Sequence, residues 1–234
     1  MEKILTILTK ELRDYFRSPM AYIVLCITFL VFNIFFYMII DQNREATMRD
    51  MFKLMEFMFV FIIPLLTMKL LAAERQEGTM EFLMTCPLST RDIVAGKYLG
   101  SFCFIAILIS LTLVYCSIIE LFSRLDWQAT ILGYAGILLE AALFIAIGLM
   151  TSSWTGNQLI AAISSYAIIF LLYFSVSFIK YLHGPLETFI RHLSFWGHTE
   201  NLSGGLLQWS DVVYFASAIF FCLFMTRLSL DKRT

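Results

Sequence analysis

Charge is scarce in this chain of 234 residues: Asp, Glu, Lys and Arg together make up 15% of it. Soluble domains carry about 25% of these residues, so the shortage excludes an ordinary water-facing surface. A net charge of -1 gives no overall field to steer nucleic acid, and partners must be argued from local patches. The five cysteines (Cys26, Cys86, Cys103, Cys116 and Cys222) form no CxxC pair, and four lie in apolar runs. That excludes a disulfide framework or zinc knuckle and reads them as small buried hydrophobes. Gly-x-Ser-x-Gly and His-Glu-x-x-His are both missing, which removes two hydrolase signatures. Gly96-Lys97 ends like a phosphate-binding loop, but Arg91 stands where the upstream Gly is needed and Tyr98 where Ser or Thr should hold magnesium. No small-residue cleavage site follows the first apolar run, so that run reads as a retained span rather than a signal peptide.

What the chain has instead is hydrocarbon. It is 59% hydrophobic, with 23 Phe and 12 Met and a mean hydropathy of +0.78. A spanning helix needs about 20 apolar residues. Six runs qualify: Met20 to Ile40, Phe52 to Ala72 with Pro64 inside it, Ile93 to Ile119, Thr130 to Met150, Leu159 to Ile179, and the shorter Val212 to Leu228. They lack the alternation of barrel strands, so an all-α integral membrane protein with six transmembrane helices is predicted. With the N-terminus in the cytoplasm, one side collects Lys3, Lys10, Arg13, Arg17, Lys69, Arg75, Arg91, Lys97, Arg227, Lys232 and Arg233. The other receives Arg44, Arg49, Lys53, Arg124, Lys180 and Arg191. The bias of basic residues therefore predicts both termini in the cytoplasm.

Three segments stand outside the spans. Residues 1–19 carry Leu5, Leu8, Leu12, Tyr15 and Phe16 at three- and four-residue intervals, which predicts an amphipathic helix in the inner interface, its basic residues near anionic headgroups. Residues 180–210 hold Gly184-Pro185, an apolar patch, Trp196 and Gly204-Gly205; two half-helices dipping into the outer leaflet as a re-entrant segment fit this pattern. The third is the polar stretch of residues 73–92. Glu74 to Glu77 extends the second helix, Gly78-Thr79 permits a break, and Thr79 caps a short helix running through Met84. Pro87 ends that helix, and Ser89 stands three residues before Asp92 in a capping-box pattern. The short helix presents Met80, Phe82, Leu83 and Met84 with Glu81, a knob of the kind that docks into another protein's groove.

The stretch "ExxEGTMEFLxTxPLSxxDIVxGKYLG" resembles the coupling region of ABC-2-type transporter permeases. "KELRDYFRSPMAYI" (10–23), "AIGLMTSSWTGNQLIAA" (146–162) and "HTENLSGGLLQWSDVVYF" (198–215) are similar to further segments of that family, in the same order. Within it the chain looks closest to the short permeases of gliding-motility-associated and nitrous-oxide-reductase-maturation transporters. The resemblance implies a non-catalytic subunit of a bacterial inner-membrane exporter, with residues 20–234 as its transmembrane domain. A second permease, identical or related, and a separate ABC ATPase carrying MgATP would be its partners, with no cofactor on this chain and no nucleic acid. Glu74, Glu77, Gly78, Thr79, Glu81, Leu83 and Pro87 match the coupling motif, and Met80 and Phe82 complete the expected docking surface.

Glu140 lies midway along the fourth span, where a lone charge costs about 2.5–3.5 kcal/mol on insertion scales. It should be neutral, paired, or facing a substrate path or the permease–permease interface. Glu56 and Lys69 read as snorkelling anchors near span ends. His183, His192 and His198 lack companion ligands at metal spacing, so no metal is expected. The Thr151-Ser152-Ser153 and Ser164-Ser165 clusters read as helix-packing and backbone-bonding groups. Two other functions stay open: an ATPase-driven mechanotransmitter acting on an envelope partner without transport, and an intramembrane enzyme using Glu140 and the outer histidines.

Overall fold

The structure, a computed structural model, describes residues 2–43, 47–80, 88–122, 124–179 and 208–231, with Thr199, Leu202 and Leu206 as isolated positions. Its described elements are α1 (Glu2–Arg17), α2 (Pro19–Asn43), α3 (Arg49–Thr67), α4 (Lys69–Gln76), α5 (Thr90–Leu111), α6 (Leu113–Phe122), α7 (Trp127–Trp154), α8 (Gln158–Ile179) and α9 (Trp209–Asp231). Among the described residues six stretches are long and apolar enough to cross a membrane: 19–41, 49–76, 90–122, 127–154, 158–175 and 209–231. Each coincides with a run read from the sequence. The re-entrant segment of residues 180–210, its three histidines, and residues 81–87 fall almost wholly outside the described residues.

Local chemistry sets the helix ends. Pro19 opens α2 at the one position where a missing N–H costs nothing, and Ser18 is the whole joint between α1 and α2. Ser89 and Asp92 form the expected capping box: the Asp92 N–H donates to Ser89 Oγ and the Ser89 N–H to Asp92 Oδ2, both at 3.2 Å. Asp126 caps α7 by accepting from the N–H groups of Gln128 and Ala129. Thr112 interrupts the third span between α5 and α6; its hydroxyl lies 2.6 Å from the Ile109 carbonyl and 3.1 Å from the Tyr134 hydroxyl.

The core forms around α7, apolar on every side and therefore suited to a central position. From Glu140 to Ser153 every residue of α7 is buried, and α3, α5, α8 and α9 pack around it. Phe32, Phe52, Met55, Phe59, Phe104, Phe144 and Phe215 fill the space between helices. The outward faces of α2, α8 and α9 show Ile23, Ile27, Leu171, Phe220 and similar residues, as lipid-facing helices do. Cys116 and Cys222 are buried as expected, whereas Cys26 is exposed on the outer face of α2.

Candidate coupling site

The ends of α3, α7 and α9 and the start of α5 gather at one end of the bundle, beside α1. There the second span is broken at Met68, between α3 and α4, four residues after Pro64. A new helix start leaves N–H groups without partners. Here they are met from another helix: Leu71 N–H and Ala72 N–H donate to Ser152 Oγ at 3.1 and 2.9 Å. The same hydroxyl donates to the Met68 carbonyl at 3.0 Å. The backbone-bonding role read for this cluster is thus realised across helices. The Ser153 carbonyl accepts from Arg75 and, at 3.1 Å, from Ser229 Oγ, tying α4, α7 and α9 together.

Next to this splice lies a charge cluster. Lys97, only 2% exposed, places Nζ 2.7 Å from Glu11 Oε1 and 2.8 Å from Glu74 Oε1. Lys10 adds a second cation, 3.3 Å from the same Glu74 oxygen. A buried ammonium is tolerable only when paired and hydrogen-bonded, and two carboxylates from two different helices do that here. Burial alone would lower the Lys10 pKa, but Glu74 and Glu11 outweigh it and hold the ammonium above its ordinary value. Gly96-Lys97, excluded above as a phosphate loop, instead belongs to this cluster.

Two glycines permit the close approach. A Cβ on Gly96 would sit 2.6 Å from Ile7 Cβ, and one on Gly100 would sit 2.7 Å from Glu11 Cβ. This is the small-xxx-small geometry by which helices approach closely in membranes. Further along, the Tyr15 hydroxyl meets Ser101 Oγ at 3.1 Å and the Leu66 carbonyl at 3.3 Å, while its ring stacks on Phe104 at 4.7 Å. Burial pushes the Tyr15 phenol pKa up. The contacts advance in step, so α1 lies along the first half of α5 in the same chain direction.

At the exit of α4, Glu77 is the C-cap and Gly78 follows with φ +71°, the left-handed conformation that favours glycine after a helix. The break expected at Gly78 is present. Thr79 is the first residue of a resumed helix, and its hydroxyl donates back to the Glu74 carbonyl at 3.2 Å, so it binds the outgoing helix as well as standing at the start of the next one. Met80 departs from expectation: it is buried with Leu70, Leu71, Val94, Leu149 and Leu230 and does not face outward. A short amphipathic pattern gives a stripe but not which neighbour claims it. Glu81, Phe82, Leu83 and Pro87 lie outside the described residues. Sequence reasoning missed Glu11, Lys97, Gly96 and Gly100 as parts of this site; the four-residue glycine spacing was the available signal.

Glu140 is fully buried in mid-bundle, and among the described residues neither carboxyl oxygen has a hydrogen-bond partner. Glu56 of α3 is near enough for its charge to act on Glu140. Glu56 itself is buried, which corrects its reading as a snorkelling anchor, because its face of α3 turns toward α7. Lys69 is exposed, as expected of an anchor. Among the described residues no group of His, Cys, Asp and Glu is placed to hold a metal ion.

Against known families, the profile described as ABC-2 family transporter protein matches residues 5–211. No curated protein matches the chain.

Proposed function

The chain belongs to the ABC-2 transporter family, and we propose on that basis that it couples ATP hydrolysis by a separate ATPase subunit to export of a substrate. Membership makes it a membrane component of an ABC transporter. The finer reading places it in a bacterial inner membrane with both termini cytoplasmic, working as a homodimer or with a related permease. MgATP binds on the partner ATPase, and this chain performs no catalysis. The docking surface comes from residues 81–87, with Glu81, Phe82, Leu83 and Pro87 as its elements and Glu77 and Gly78 at its border. The motifs it shares with gliding-motility-associated and nitrous-oxide-reductase-maturation permeases support the same subtype for this chain.

One observation carries this reading: both borders of residues 81–87 are anchored to the same charged cluster. Glu74, at the end of α4, and Lys97, in the second turn of α5, meet at 2.8 Å, and Glu11 ties α1 to them. A push on the intervening segment is therefore delivered to α1, α4 and α5 together, as rigid-body alternating access requires. Ser152 extends the path from α4 to the buried α7.

The test is co-purification of the tagged chain with the ATPase from its own operon, comparing wild type with Glu81→Arg plus Leu83→Asp. The ATPase should accompany wild type and be lost from a variant that still elutes as a folded membrane protein. An ATPase that binds the double variant as well as wild type removes residues 81–87 as the docking surface. Hydrolysis that proceeds in the reconstituted complex without any substrate movement points to a transmitter acting on an envelope partner.

A further inference from the structure

Beside the charge cluster, α1, α2, α3 and α4 and the start of α5 line an open-sided cavity of about 380 Å³, within the range of small-ligand sites. Its walls divide by chemistry. One part is apolar, with Met20, Ala21, Leu65 and Leu66; the other is charged on both signs. Most of that charge is already satisfied, since Lys97 and Lys10 are occupied by Glu11 and Glu74. Glu74 keeps one oxygen, Oε2, without a hydrogen-bond partner among the described residues, and three whole charged groups are left besides. The Lys69 ammonium reaches only the Met20 thioether, at 3.6 Å, and Asp14 and Glu77 make no side-chain ion pair or hydrogen bond among the described residues. Ser18 and Thr79 add hydroxyls.

We propose that this cavity seats the headgroup of a zwitterionic aminophospholipid, its phosphate on Lys69 and its ammonium on Asp14 and Glu77. Three features select that class. The first turn of α2 and the last turns of the second span line the cavity together, which is headgroup depth for a helix pair that crosses a bilayer. The spare charges comprise one cation and two carboxylates, so a purely anionic headgroup would meet net repulsion. A trimethylated choline presents no N–H to the carboxylates, whereas a primary ammonium offers three charge-assisted donors. The apolar wall then receives the glycerol and the first acyl carbons, which a soluble headgroup fragment lacks. This inference rests on the cavity alone and does not require the coupling role proposed above.

The experiment uses the full chain in nanodiscs of equal parts phosphatidylethanolamine, phosphatidylcholine and phosphatidylglycerol. Lipid retained after detergent extraction is quantified by mass spectrometry. Wild type should retain phosphatidylethanolamine over phosphatidylcholine by about tenfold, the factor that about 1.4 kcal/mol supplies. Asp14→Asn with Glu77→Gln should abolish that preference and raise phosphatidylglycerol. Lys69→Gln should lower retention of both phosphate-bearing zwitterions. Asp14 and Glu77 are exposed, so these near-isosteric changes preserve the fold, which an unchanged elution profile verifies. An unaltered lipid ratio in the double variant, or phosphatidylglycerol preferred by wild type, overturns the proposal. Equally tight binding of free phosphoethanolamine also overturns it, in favour of a soluble ligand.

Discussion

Glu11 and Glu140 are both buried carboxyl groups in a protein built for hydrocarbon, and their surroundings are opposites. Glu11 lies at the α1 end of the bundle, 2.7 Å from Lys97, in a cluster that also holds Glu74 and Lys10. Glu140 lies in mid-bundle with no hydrogen-bond partner on either oxygen among the described residues, and the charge that acts on it, Glu56, has the same sign. Burial costs each of them solvation. In the first case that cost is offset by a cation; in the second it stays in the fold as a liability. The lesson is that burial alone does not tell a structural charge from a spare one. The number of partners does.

The largest expected effect comes from breaking the satisfied side. Lys97→Met leaves the buried Glu11 without its ammonium and Glu74 with only the exposed Lys10, and removing one partner of a buried ion cluster typically costs about 3–5 kcal/mol. Thermal unfolding in detergent should fall accordingly, with α1 becoming protease-sensitive as it loses its hold on α5. A melting point within a degree of wild type would sink the view of this cluster as the lock between α1 and the bundle. Breaking the unsatisfied side should do the reverse. Glu140→Leu removes an unpartnered buried polar group whose burial costs about 1–3 kcal/mol, so stability should rise. If it falls instead, Glu140 has a partner in the working protein. The smallest effect belongs to the rim of the cluster. Lys10 is 53% exposed in its pair with Glu74, and such pairs are worth about 0–1 kcal/mol. Lys10→Ala should therefore leave the melting point almost unmoved, in contrast to Lys97→Met.

How much of this was legible in the sequence depended on range. The six spans followed from hydropathy because lipid leaves the backbone no other choice. The Ser89–Asp92 cap and the break at Gly78 were legible because they are settled within three or four residues. Glu140 was visible as an anomaly because a carboxyl group in the middle of a span stands out in any register. The Glu11–Lys97 pair was not legible, since 86 residues separate its members and only the packed fold brings them together. Glu74 was read as extending the second helix and matching the coupling motif, with no sign that one of its oxygens is engaged within the chain by Lys97 and Lys10. Met80 and Glu56 were misread for a related reason. Sequence gives the position of a side chain along a helix, but not which neighbouring helix lies over that face.

The Ser152 hydroxyl has a mechanical consequence. Because it serves Met68, Leu71 and Ala72 at once, the discontinuity in the second span is pinned by a single oxygen belonging to another helix. A pinned discontinuity concentrates bending at one place and leaves the rods on either side stiff. Rotation of α4 about that pin would drag the most deeply enclosed helix of the molecule without unwinding a turn. The fold therefore joins α4 to the most deeply enclosed helix of the molecule through one hydroxyl.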